Sequence, residues 1–91
     1  MKILRTPTFI RNTKNLHSNQ KASLDEALLE ILSNPLVGEA KVGDLAGVRV
    51  YKFTMLDQER LLAYKIVGNK EIWLLMCRSH ENFYRDLKSI L

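Results

Sequence analysis

Three strand-like segments follow one another in the second half of the chain, separated by only a few residues. In residues 48–54, strand alternation would place Tyr51 and Phe53 on one face and Val50, Lys52 and Thr54 on the other. Residues 60–67 are rich in β-forming types. Residues 72–78 are apolar almost throughout, which is typical of a central strand buried on both faces. The pair Gly68-Asn69 fits a two-residue hairpin turn between the last two segments. Connections this short predict an antiparallel meander.

Helical patterns flank the meander on both sides. After a short strand at residues 2–5, Thr6 fits a helix N-cap and Pro7 the first helical position, which predicts a helix to about residue 16. A second helix is predicted at residues 20–33, and a third begins near residue 79. The order β-α-α-β-β-β-α predicts an α+β fold in which an antiparallel sheet packs on a helical hairpin. Strand alternation predicts that the hairpin covers one sheet face and leaves the other open.

Length and composition limit the class of protein. The 91 residues predict a single domain, residues 1–91, and 46% hydrophobic residues exclude a disordered chain. The single cysteine excludes an intrachain disulfide framework and favours a cytoplasmic location. The longest apolar run, residues 72–77, is too short to span a membrane, which needs about 20 residues in a helix. The net charge of +4 is compatible with a nucleic acid or an acidic protein partner.

The histidines and the cysteine do not form a metal-binding pattern. His17, Cys77 and His80 lack the spacing of a metal site. The glycines at 38, 43 and 47 are not followed by the lysine of a phosphate-binding loop. We therefore expect neither a metal nor another cofactor.

The element order is similar to that of a family of bacterial toxins. The likeness rests on the order of elements and on residues 45–52 (LAGVRVYK), 62–65 (LAYK) and 79–84 (SHENFY). Together these features resemble the RelE/ParE superfamily over nearly the whole chain. The resemblance implies the toxin of a type II toxin–antitoxin pair, neutralised by a cognate antitoxin protein.

Members of that superfamily act on two different cellular targets. RelE-like members cut messenger RNA on the ribosome without a metal, whereas ParE-like members inhibit DNA gyrase. Our first expectation is an mRNA endonuclease that inhibits translation. The alternatives are a ParE-like, non-enzymatic gyrase inhibitor and a degenerate toxin that retains only antitoxin binding.

Two aromatic residues near the C-terminus are the first site candidates. His80 lies four residues before Tyr84, so a helix that begins near Ser79 would bring both to one face. An imidazole can donate or accept a proton near neutral pH. The resemblance implies that His80 is the acid and that Tyr84 stacks on a base or orients the substrate. The alternative is a capping histidine and an aromatic side chain at the edge of the core.

Basic residues on the strands are the second set of candidates. Lys52 matches a lysine that is a catalytic cation or base in RelE-like enzymes, and Lys65 is predicted to project from the same open face as a substrate-binding group. Arg60 is a further substrate-binding candidate, although alternation directs it to the opposite face unless a bulge reorients it. The alternative for each lysine is an ordinary solvated side chain.

Two positions depart from the pattern of the superfamily. Strongly active RelE-like enzymes commonly carry basic residues where this chain has Thr54 and Leu61. Arg78, which is in phase with Leu74 and Met76 and close to His80, is the candidate that could supply one of these charges.

Overall fold

A five-stranded sheet forms the centre of the protein. The computed structural model describes residues 1–91, and the strand order across the sheet is β1-β5-β4-β3-β2. The strands are β1 (Lys2–Arg5), β2 (Glu39–Ala40), β3 (Arg49–Met55), β4 (Gln58–Val67) and β5 (Glu71–Arg78). The predicted meander of β3, β4 and β5 is antiparallel, and β2 extends it at one edge.

The other edge of the sheet is parallel. β1 pairs with β5 in parallel register, with Leu4 opposite Trp73. Two helices lie between β1 and the rest of the sheet along the chain, so the connection is long enough for a parallel neighbour. The predicted α+β architecture is therefore observed with a mixed rather than a purely antiparallel sheet.

Three helices pack on this sheet, namely α1 (Pro7–Thr13), α2 (Ser18–Ser33) and α3 (Phe83–Ser89). Thr6 caps α1 as predicted, because its hydroxyl accepts a hydrogen bond from the Phe9 backbone N–H at 3.3 Å. α1 ends before residue 16, and α2 begins two residues earlier than predicted. No helix combines the length and the apolar character needed to cross a membrane.

The helical hairpin covers one face of the sheet. Phe9 of α1 and Leu24 and Ile31 of α2 are buried against Leu62 and Tyr64 of β4. Strand alternation explains this arrangement, because the apolar β4 side chains at even positions point toward the hairpin.

The opposite face of the sheet is not open, which corrects the expectation from the sequence. Phe83 and Leu87 of α3 are fully buried against a second core that contains Val50, Leu61 and Ala63. Strand alternation places those three side chains on the face that the sequence predicted to be open. α3 folds back over the strands because its two apolar residues, four positions apart, form a stripe that the sheet can bury.

A bulge in β5 divides the apolar strand between the two cores. Ala63 pairs with Met76 and Tyr64 pairs with Leu74, so Leu75 is an extra residue in β5. Leu74 therefore faces the helical hairpin, while Leu75 and Met76 both contribute to the core under α3. Arg78 is in phase with Met76 but not with Leu74, because the bulge reverses the alternation between them.

Candidate functional site

A groove of about 380 Å³ lies where β2, β3 and the start of α3 meet. We call it the His80 groove. Its lining combines charged, titratable and apolar side chains: Val37, Glu39, Lys41, Val50, Tyr51, Lys52, Leu61, His80 and Tyr84. Three of the residues predicted from the sequence, Lys52, His80 and Tyr84, are therefore brought to one place.

His80 and Tyr84 are neighbours, but not on one helix. α3 begins at Phe83, and Asn82 before it has a left-handed backbone (φ 57°), so His80 lies in the preceding turn. The predicted helix start at residue 79 is therefore wrong. The rings of His80 and Tyr84 still meet edge to face, with centroids 6.2 Å apart and planes at 79°. Phe83 is fully buried next to Tyr84, with ring centroids 5.3 Å apart, and supports the Tyr84 ring from the core.

Lys52 extends from the middle of β3 toward this groove. Its strand partner is Leu61 of β4, which lines the groove from below. Lys52 is exposed, so its ammonium group is free to approach a bound anion.

Two charged residues of the groove were not singled out in the sequence. Glu39 lies in β2 and Lys41 follows it, and the Lys41 ammonium group donates a hydrogen bond of 2.7 Å to the Glu39 carboxylate. The Lys41 nitrogen also lies 5.1 Å from the centroid of the Tyr84 ring, within the range of a cation–π contact. The alternation of Glu39 and Lys41 is a strand-like signal, but two residues of strand between glycines are too few to be recognised.

The contact between Glu39 and Lys41 shifts the pKa of both side chains. The hydrogen bond from Lys41, followed by its positive charge, lowers the pKa of Glu39. Burial and the charge of Lys52 act on the same carboxyl, the first raising and the second lowering its pKa. The hydrogen bond to Glu39 raises the pKa of Lys41. The groove therefore holds a carboxylate and an ammonium group, both fully charged at neutral pH.

Arg78 lies near His80 in sequence, but its guanidinium group pairs with a carboxylate outside the His80 groove. Its guanidinium group donates a hydrogen bond of 2.5 Å to the Asp86 carboxylate in α3. Arg85 contacts the same carboxylate at 3.2 Å. Burial opposes ionisation of Asp86, but the hydrogen bonds from the two arginines outweigh it and lower its pKa. Arg78 is absent from the lining of the His80 groove and joins β5 to α3 instead.

The two predicted substrate-binding residues lie away from the groove. Lys65 pairs with Trp73 and lies four residues beyond Leu61 along β4, or about 13 Å at the rise of a strand. Trp73 is 36% exposed beside it rather than part of the core. Arg60 pairs with Phe53, on the hairpin side of the sheet, and donates a hydrogen bond to Gln58 at 3.3 Å. No bulge turns Arg60 toward the groove, since the irregularity in the β4–β5 pairing falls at Ala63 and Tyr64.

The groove has the chemistry of an anion site with proton-transfer groups. Lys41 and Lys52 supply positive charge, His80 and Glu39 can transfer protons, and Tyr84 offers a ring for stacking. No three His, Cys, Asp or Glu side chains are grouped so that they could hold a metal ion.

Solved toxin structures share this fold. A double arginine-to-alanine mutant of the E. coli toxin RelE, in the free state, matches with a TM-score of 0.74 at 14% identity over 98% of this chain and 93% of that chain. The isolated E. coli RelE toxin matches with a TM-score of 0.66 at 18% identity over 99% and 98%. A RelBE toxin–antitoxin complex from Mycobacterium tuberculosis matches with a TM-score of 0.72 at 21% identity over 87% and 96%.

The sequence comparisons add the family. The comparison with curated proteins gave no match. A family model for the ParE-like toxin of type II bacterial toxin–antitoxin systems matches residues 3–88, which is nearly the whole chain. The α+β fold, with its sheet between a helical hairpin and a C-terminal helix, agrees with that match. The chain therefore belongs to the ParE-like toxins of type II bacterial toxin–antitoxin systems.

Proposed function

We propose that this toxin is a ribosome-dependent mRNA endonuclease that inhibits translation by metal-independent RNA cleavage. The observation that carries the proposal is the meeting of His80, Glu39 and Lys52 with Tyr84 around one groove of about 380 Å³. Cleavage of RNA without a metal needs a base, an acid and a cation close to one phosphate, and this groove offers each of them.

We assign each group one role in the reaction. The Glu39 carboxylate accepts the proton of the ribose 2′-hydroxyl, whose oxygen attacks the adjacent phosphorus. The bond from phosphorus to the 5′-oxygen breaks, and the His80 imidazolium donates a proton to that leaving oxygen. The products are a 2′,3′-cyclic phosphate and a 5′-hydroxyl end. Lys52 stabilises the additional negative charge on the phosphate oxygens in the transition state.

Tyr84 is placed to hold the base next to the scissile phosphate. Its ring is half-buried and packs edge to face with the buried ring of Phe83 and with the exposed ring of His80. A base stacked on such a ring contributes about 1–3 kcal/mol of binding energy, and the hydroxyl group is not needed for that contact.

A cognate antitoxin is the expected protein partner. Similar structures include the intact E. coli RelBE toxin–antitoxin complex, which matches with a TM-score of 0.69 at 17% identity. We propose that an antitoxin also neutralises this chain, and that it does so by covering the His80 groove. Its acidic residues would complement Lys41 and Lys52 there.

The decisive test compares two histidines. His80→Gln keeps a polar side chain of similar size but removes the titrating group, so cleavage of a translated message should fall by about 10²–10⁴-fold. His17→Gln is the matched control, because His17 is exposed in the turn before α2 and belongs to no part of the groove. Cuts are mapped by primer extension with ribosomes present and absent. Equal cleavage by His80→Gln and the wild type would show that His80 is not the acid.

Gyrase inhibition is the second candidate, and one observation favours it. Leu61, at a position where active RelE-like enzymes commonly carry a cation, is only 1% exposed and belongs to the core under α3. Thr54 stands at the other such position. A wild-type protein that makes no cuts on translating ribosomes but blocks supercoiling by gyrase would replace the endonuclease proposal with this one.

A further inference from the structure

The side chain of Lys41 is held at the centre of the charged part of the His80 groove. It is 20% exposed, whereas the Glu39 carboxylate that it contacts at 2.7 Å is 77% exposed. Its nitrogen lies 5.1 Å from the centre of the Tyr84 ring. The lysine is therefore fixed between a carboxylate and the ring on which a base is proposed to stack.

The other charged or titratable side chains near Lys41 form two groups. Asp44 and Lys88 contact each other at 3.8 Å and line a second groove with Glu39, Lys41 and Tyr84. Lys52 and His80 line the His80 groove with Glu39 and Lys41. An anionic phosphate that enters between Lys52 and Tyr84 therefore meets Glu39 as the one negatively charged side chain of that groove, with Lys41 beside it.

A phosphate that enters beside Glu39 gives the Lys41 ammonium group a second anionic partner within reach. We propose that Lys41 is a substrate-binding residue whose ammonium group passes from Glu39 to a phosphate of the RNA strand, and that this exchange releases Glu39 to accept the 2′-hydroxyl proton. The inference rests on the proposed function. Lys41 thereby supplies, from the loop after β2, a cation that the strand positions of Thr54 and Leu61 do not provide.

The exchange has a consequence for the free and the bound protein. In the free protein the hydrogen bond from Lys41 lowers the pKa of Glu39, so the carboxylate stays ionised to a lower pH than a free glutamate. Once the ammonium group binds the phosphate, the carboxylate faces a second anion and becomes a stronger base. A carboxylate that stayed bonded to Lys41 would be a weaker proton acceptor.

The test measures single-turnover cleavage of a translated message by Lys41→Ala, Lys41→Arg and the control Lys70→Ala, across acidic to neutral pH. Lys70 is exposed in the turn before β5, outside the groove. Lys41→Ala should lower cleavage at neutral pH by about 10²-fold, the effect of removing one transition-state donor. At subsaturating toxin, where the pH profile reports the free protein, the acidic limb should also move to higher pH, because Glu39 loses the hydrogen bond that lowers its pKa. Lys41→Arg should retain most of the rate and the position of the limb, and Lys70→Ala should match the wild type.

Two results would overturn the inference while leaving the proposed function intact. One is wild-type cleavage by Lys41→Ala with an unchanged acidic limb. The other is a lower rate in both Lys41 variants with no movement of the limb, which would assign Lys41 to packing alone. A wild-type protein that cuts no message would overturn both the proposed function and the inference, and the gyrase assay would then identify the alternative activity.

Discussion

At the scale of single residues, the buried tyrosine of β4 links the core to the functional groove. The Tyr64 hydroxyl donates a hydrogen bond to the Pro35 carbonyl at 2.6 Å and accepts one from the Gly38 N–H at 2.9 Å. Arg49 donates to the Gly38 carbonyl at 2.8 Å. Glu39 follows directly in the chain. The turn that delivers Glu39 and Lys41 to the groove is therefore held by one phenol group and one guanidinium group.

Removal of the Tyr64 hydroxyl should loosen this turn. Tyr64→Phe leaves a buried N–H and a carbonyl without their partner, so the free energy of unfolding should fall by about 1–3 kcal/mol. Tyr51→Phe, at a half-buried tyrosine on the same sheet face, is the control and should change stability little. Urea denaturation of the three proteins measures the difference. Equal stability of Tyr64→Phe and the wild type would show that the turn is held without the phenol.

The glycine of this turn is constrained by the same tyrosine. A Cβ atom added at Gly38 would lie 2.7 Å from the Tyr64 hydroxyl oxygen, closer than real Cβ contacts. Because Tyr64 is fully buried, its ring cannot give way freely. A glycine in the sequence shows only that the chain turns there, whereas the structure shows that the close approach of a ring requires it.

At the scale of secondary-structure elements, the sequence was most informative where a pattern extends over several residues. The meander and the helical hairpin were predicted correctly, because alternation and helical spacing are repeated in each. The two residues of β2 were missed, since they are too short for a pattern, and with them Glu39 and Lys41. The side of the sheet that α3 covers could not be read from local spacing, because it depends on Val50, Leu61 and Ala63 as distant partners.

The C-terminal helix should contribute strongly to stability through its buried stripe. Leu87 is fully buried in the core under α3, so Leu87→Ala should lower the free energy of unfolding by about 2–5 kcal/mol. Ile90, just after α3, is 41% exposed, and Ile90→Ala is expected to stay within about 0.5 kcal/mol of the wild type. Thermal denaturation followed by circular dichroism separates the two variants. If both melt like the wild type, α3 does not depend on this contact.

At the scale of the whole molecule, the sheet lies between two separate hydrophobic cores. The core between the sheet and the helical hairpin, which we call the hairpin core, contains Cys77. The core under α3, on the opposite face of the sheet, contains Leu87. Because every central strand contributes side chains to both cores, loss of either one exposes the same strands. A domain of this size commonly unfolds in one cooperative transition, and the sheet gives a physical reason for it here.

The single cysteine allows this cooperativity to be measured. Burial raises the pKa of the Cys77 thiol to about 12, and the side chain is 3% exposed, so a thiol reagent reaches it only when the hairpin core opens. Leu87→Ala, on the other face, should nevertheless accelerate the labelling of Cys77. A loss of about 2 kcal/mol or more corresponds to at least roughly 30-fold, provided that closing is faster than labelling. Labelling at the wild-type rate, in a variant whose denaturation midpoint has fallen, would show that the two cores open independently.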